Sequence, residues 1–132
     1  MGSGTWLHAQ QSGTNYSKLA PDQGDDAPQV SIVQLIANPA QFDHKKVRII
    51  GYLHLEFEGD AIYLHKEDMS THIYENSVWI NTPRDMTAEQ RAALNNHYVL
   101  CTATFTSQRR GHMGMFAGEL SDIVRLEVWV LN

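Results

Sequence analysis

The sequence predicts a mainly β chain: a small five-stranded OB-type barrel, with one helix before strand 1 and one between strands 3 and 4. Three observations lead there. A long segment, Val47 to Glu58, alternates with period two. Two capping boxes mark helix starts at Ser31 and Thr87. The resulting order is helix, three strands, helix, two strands, which is that of an OB barrel with a helix in front. An SH3-like barrel is the nearest competitor, but it has no need of the helix at Thr87.

Order is expected from Val30. Ser31 and Gln34 form an S-x-x-Q box, in which hydroxyl and amide satisfy orphan helix-terminal amides. Ile32, Leu35 and Ile36 give an apolar face at helical spacing. Pro39 ends this helix, because the residue before proline is pushed out of helical dihedrals. Residues 40–46 read as a turn. In the first strand Val47, Ile49, Gly51, Leu53, Leu55 and Phe57 alternate inward. Arg48, Ile50, Tyr52, His54, Glu56 and Glu58 alternate outward. Gly51 interrupts the buried face and reads as a bulge or bend.

Gly59-Asp60 then reads as a tight hairpin turn, and Ala61 to Lys66 as the return strand with Ile62 and Leu64 inward. Residues 67–76 are polar, a loop or short helical turn. Ser77 to Asn81 is a third strand, and Thr82-Pro83-Arg84-Asp85 a break. Thr87 and Gln90 cap a second helix, which Asn95-Asn96 stops. His97 to Thr106 is a strand with Val99, Cys101, Ala103 and Phe105 inward and Tyr98, Leu100, Thr102, Thr104 and Thr106 outward. After the loop 107–112, a last β region runs from Met113 to Val130, broken near Ser121-Asp122. Its inward candidates are Val124, Leu126, Val128 and Val130.

The stretch Val30 to Pro39, followed by Lys46 to Asp68, resembles uncharacterised bacterial proteins with OB-like domains. The phrase Tyr52-Leu53-His54-Leu55-Glu56-Phe57-Glu58-Gly59-Asp60 carries the resemblance most strongly. These stretches lie in the first half of the expected domain, and the resemblance implies the fold. It implies no activity, and no functional residue is carried over.

A length of 132 residues leaves room for one domain, assigned to residues 30–132. Residues 1–29, rich in Gly, Ser, Gln and Asp and without periodicity, read as a disordered tail. Met1-Gly2-Ser3-Gly4 reads as an expression-vector remnant, and Trp6 to Gln10 as the remnant of a leader cut near Ala9. The 15 acidic and 10 basic residues give −5. Setting aside Asp22, Asp25, Asp26 and Lys18 leaves the domain 12 acidic and 9 basic residues, or −3. Phosphate neutralisation asks for a basic surplus, so nucleic acid is disfavoured as partner. The lone Cys101, in an apolar alternating strand, forms no internal disulfide and reads as a buried inert thiol. No apolar run approaches the roughly 18 residues of a membrane span. A cytoplasmic location is the default expectation, with export as the alternative.

Three groups of side chains could form a site. With Gly59-Asp60 as a two-residue turn, His54 faces His65 and Glu56 faces Tyr63. Cross-strand β-carbons lie about 5 Å apart, so His54, His65 and Glu56 could hold a divalent metal. With Glu58-Gly59 as the turn, His54 faces Tyr63 instead. Against a metal stands the commonness of these residues on any wet strand face, and no metal or other cofactor is expected. Second, Arg109-Arg110-Gly111-His112 sits in the loop between the last two strands, which with the first hairpin loop flanks the usual OB ligand face. Two arginines could grip a phosphate or carboxylate, yet Glu58 and Asp60 face them with opposite sign. Third, Tyr52 and Tyr63 fall on the wet face, where bases could stack, although aromatics in small barrels more often pack in the core or rim. Met113-Gly114-Met115-Phe116 is either an adaptable contact surface or filling for the barrel end. No G-x-S-x-G, phosphate-cradling glycine loop or H-E-x-x-H is present. The expectation is a non-catalytic module that holds a protein partner through the barrel face and loops. Single-stranded nucleic-acid binding and a metal-dependent activity at the first hairpin are the alternatives.

Overall fold

The computed structural model describes residues 14–20 and 22–131. Six strands follow in chain order: β1 (Tyr16–Ser17), β2 (Lys45–His54), β3 (Ala61–Tyr63), β4 (Ser77–Ile80), β5 (His97–Thr106) and β6 (Glu119–Val128). Four α-helices join them: α1 (Ile32–Ala37), α2 (Pro39–Phe42), α3 (Lys66–Ser70) and α4 (Ala88–Leu94). Single 3-10 turns lie at Tyr74–Asn76 and His112–Gly114. The sheet order is β1-β6-β4-β3-β2-β5, and β6 also pairs with β5, so β2 to β6 close into a barrel. β4 and β6 run parallel, while the meander β2-β3-β4 and the pairs β2–β5 and β5–β6 are antiparallel. This is OB connectivity, and the predicted fold class holds.

β2 organises the barrel. Its residues Lys45 to Leu53 pair with β5, and Tyr52 to His54 also pair with β3. Val47, Ile49 and Leu53 point inward and are fully buried, as the alternation predicts. Gly51 is needed for close approach rather than for a bulge. A Cβ there would lie 2.5 Å from Ile62 Cγ2 and 2.7 Å from both Ile32 Cδ1 and the Tyr63 carbonyl oxygen. Both helix starts form as read: Ser31 Oγ accepts from Gln34 N and Thr87 Oγ1 from Gln90 N, with each glutamine reaching back. Pro39 does stop α1, but it also opens α2 at the first helical position, where its missing N–H costs nothing. Leu35 and Leu94, one from each capped helix, enter the core.

The first strand and its turn differ from expectation. β2 ends at His54, and residues 55–60 form a six-residue loop. The observed pairs are Tyr52–Tyr63, Leu53–Ile62 and His54–Ala61, so neither expected register occurs. The cause is Asp60: its Oδ1 accepts the Glu56 N–H at 2.9 Å, while Gly59 N donates to Glu56 O, closing a wider loop. Phe57, expected inward, is 89% exposed at the tip. β6 is one strand bent by a bulge rather than two: Asp122 adopts φ 51° opposite the register shift between Thr102 and Thr104. Ile123 takes the core place expected of Val124, and Val130 lies beyond the strand and is exposed.

Part of the expected tail is structured. Its residues 1–13, with the proposed vector and leader remnants, lie outside the described residues. Within residues 14–20 and 22–30 the chain meets the barrel at several points. β1 pairs with β6, and Tyr16 is buried, its hydroxyl donating to Asp85 Oδ1 at 2.9 Å. Residues 28–30 then run beside Arg48, giving hydrogen bonds from Arg48 N to Pro28 O and from Val30 N to Arg48 O. They cover an edge of β2 that would otherwise expose its backbone groups.

Asp25 fixes this segment. Arg48, Thr102 and Arg125 stand in one cross-strand row over β2, β5 and β6. The Asp25 carboxylate sits over all three, at 2.7 Å from Arg48 Nη2, 3.0 Å from Thr102 Oγ1 and 2.8 Å from Arg125 Nε. Burial pushes its carboxyl up. Hydrogen bonds from Arg48, the Ala27 amide and Thr102, with the charge of Arg125, outweigh burial and hold it below the ordinary value. A glycine- and aspartate-rich stretch reads as tail because its one structural carboxylate has partners 23, 77 and 100 residues away. Among the described residues no helix is long and apolar enough to cross a membrane.

Candidate functional site

The outer hairpin residues split into two groups. His54 lies at the end of β2, its Nδ1 2.7 Å from Asn96 Oδ1 and its Nε2 3.4 Å from Glu56 Oε1. Asn96 reaches it because the αL residue that stops α4 (φ 61°) turns back, its own N–H donating to Leu53 O. Asp60, the loop-closing residue, lies 3.8 Å from Arg91. Burial pushes its carboxyl above the ordinary value, and Arg91 and the Glu56 amide offset only part of that. His65 does not join them. β3 ends at Tyr63, and His65 becomes the N-cap of α3, 62% exposed and facing Asp68 at 3.9 Å. The expected three-ligand patch is therefore not assembled, and both nitrogens of His54 already face protein oxygens. Among the described residues no group of three or more His, Cys, Asp or Glu side chains could hold a metal ion.

Tyr52 and Tyr63, candidates for stacking platforms against the commoner role of packing, are 5% and 1% exposed and so pack. They belong to a second apolar cluster, outside the barrel, with Ala61, Phe116, Met69, Tyr74 and Trp79. Phe116 is its centre, 5.3 Å from Trp79 and 5.4 Å from Tyr74 between ring centroids, both edge-on. In an OB barrel the face over β3 and β4 is where ligands stack. Here the chain's own 107–118 loop fills it. Gly111 permits the fold-over: it has φ 71°, and a Cβ would lie 2.6 Å from Trp79 and 2.7 Å from Phe116. Tyr63, so covered, has its hydroxyl pushed up to about 12 by burial, with Tyr74 and Glu56 adding to it.

The two arginines of that loop have separate duties. Arg109 is 73% exposed and lies 3.8 Å from Glu119. Arg110 donates its Nε to Phe116 O at 2.9 Å and accepts the Phe116 N–H on its own carbonyl at 3.0 Å. That double bond pattern closes the loop 110–116 at its base. At the tip, His112 Nε2 lies 3.9 Å from Glu58 Oε2, joining this loop to the 55–60 loop. Next to each of these residues stands a bare apolar side chain, Phe57 at 89% and Met113 at 81% exposure. Glu58 and Met113 both hold positive φ, 52° and 57°, unusual for residues with a Cβ.

Sequence reading missed Phe57, because an unbroken alternation carried it into the core. It found Met113 only as one of two options. The signal for Phe57 was available in Asp60, whose side chain favours a capped loop over a two-residue turn. Cys101 is fully buried and its thiol is pushed up to about 12 by burial, as its apolar strand implies. A further cleft of about 350 Å³ lies between the end of α1 and the base of the 107–118 loop. A scan against protein-family models and a search of curated proteins both find no match for this chain.

Proposed function

We propose that the chain is a non-catalytic binding module that holds a protein partner through the joined tips of the 55–60 and 107–118 loops. The observation that carries this reading is the pair Phe57 and Met113, 89% and 81% exposed beside the Glu58–His112 contact that links the loops. Burying one such side chain at an interface is worth about 1.5–3 kcal/mol. Left in water, it serves no packing purpose in the chain itself. Glu56 and Glu58 flank Phe57 and are half exposed, so the complementary surface is an apolar socket with basic neighbours. The usual OB ligand face supports the same reading, since bases could stack there only by expelling Phe116.

The test is site-specific photo-crosslinking in native cells. A benzophenone side chain at position 57 is expected to give a discrete protein adduct, and one at Val33, exposed on α1, is not. Adducts to nucleic acid, or equal yields at both positions, would overturn the reading.

A further inference from the structure

We propose that the cleft between α1 and the 107–118 loop binds a free α-amino acid with an apolar side chain. The cleft holds about 350 Å³ and is lined by Ile36, Pro39, Glu75, Ser107, Arg110 and Ala117. Small-molecule sites run from about 300 to 1,000 Å³, so its ligand is a small one.

The charged groups define the chemistry. Arg110 is anchored at Nε by the Phe116 carbonyl, 2.9 Å away, while its two Nη groups have no protein partner among the described residues. Arg110 is exposed, and with its Nε held by the loop its Nη groups are left to grip a carboxylate with two bonds. Glu75, on the 3-10 turn Tyr74–Asn76, is exposed, and its carboxylate has neither ion pair nor hydrogen bond among the described residues. These opposite charges line one cleft without pairing with each other.

A ligand carrying both charges satisfies both groups at once: its carboxylate meets Arg110 and its ammonium meets Glu75. Ile36, Pro39 and Ala117 leave an apolar wall for the ligand side chain. Glu75 repels a phosphate or a second carboxylate, and Arg110 repels a simple amine. The zwitterion is the class that escapes both penalties.

Titration of the isotope-labelled full chain, followed by its amide NMR shifts, tests this. Leucine at millimolar concentration is expected to saturate shifts at Ile36, Glu75, Ser107 and Ala117. N-acetylleucine, which keeps only the carboxylate, and leucinamide, which keeps only the ammonium, should bind at least about tenfold more weakly. Glu75→Gln, an exposed change that leaves the fold intact, should weaken leucine by about tenfold and leave N-acetylleucine unaffected. Three results would overturn the assignment: no saturable shifts with leucine, methionine, valine or phenylalanine; shifts that map to another surface; or N-acetylleucine binding as well as leucine. Leucine affinity unchanged by Glu75→Gln would overturn it too.

Discussion

Alanine in place of Asp25 takes away the carboxylate that Arg48, Thr102 and Arg125 share. The Asp25 side chain is 3% exposed, and the two arginine side chains are 24% and 21% exposed. Arg125 would keep Glu127 at 3.6 Å, but Arg48 would keep no carboxylate among the described residues. Removing one partner of a buried ion pair costs about 3–5 kcal/mol. Both arginine side chains are partly exposed and Arg125 stays paired with Glu127, so the low end applies, about 3 kcal/mol. In a domain of this size that lowers Tm by roughly 10–15 °C. Urea unfolding should show a lower midpoint with an unchanged m-value. Replacing the set together (Asp25→Leu, Arg48→Met, Arg125→Met) should recover part of the loss, because neither guanidinium is left stranded, although Glu127 loses its Arg125 contact and the Thr102 hydroxyl its acceptor. A cost below about 1 kcal/mol for Asp25→Ala is what an ordinary surface pair would show. That result would refute the claim that this carboxylate anchors the N-terminal segment.

The same group sets part of the pH dependence. Because the Asp25 carboxyl is held below its ordinary 3.8, the unfolded chain takes up this proton first as pH falls. Its stabilisation is therefore complete above 3.8 and lost as pH drops through the folded value, and Asp25→Asn should shrink that acid limb in urea titrations. Asp60, pushed above 3.8 by burial that Arg91 only partly offsets, acts with opposite sign, so Asp60→Asn should raise the urea midpoint slightly at neutral pH. Gly51→Ala should cost about 1–3 kcal/mol, since backbone and two side chains must move to admit the methyl group. Phe116→Ala should cost about 3 kcal/mol and speed hydrogen exchange across residues 107–118, as the outer cluster loses its centre. Cys101, buried and pushed up to about 12, should react with thiol reagents only at the rate of unfolding.

How much of this was legible depends on the range of the interactions. Helix starts are written in four adjacent residues, so Ser31–Gln34 and Thr87–Gln90 were readable and α4 appeared with its stop at Asn95-Asn96. β5 was readable because Val99, Cys101, Ala103 and Phe105 alternate without interruption. The hairpin was misread because a side chain, Asp60, rather than the glycine beside it, decides the loop. One carboxylate thus moved His65 off the strand and Phe57 into water, which dissolved the expected metal patch. The wet face of Tyr52, Tyr63 and Thr102 was misread for another reason. Alternation says which face a residue takes, not whether a distant segment covers it. Phe116 covers the tyrosines and Asp25 covers Thr102, and neither contact leaves a periodic trace. Arg110 was legible as an anion-gripping candidate, but its anchor at Phe116 and its neighbour Glu75 are tertiary facts.

The central claim is that Phe57 and Met113 form the contact centre of a protein-binding module. Its most direct test is the affinity of the partner captured at position 57, titrated against the wild-type chain, Phe57→Ala and the Phe57→Ala, Met113→Ala double variant. Loss of a central apolar anchor costs about 2 kcal/mol, or roughly thirtyfold in Kd. Phe57→Ala should therefore bind about thirtyfold more weakly, and the double variant more weakly still, with Tm unchanged because neither side chain packs within the chain. Affinity within about threefold of wild type in the double variant would contradict the account and place the partner on another surface.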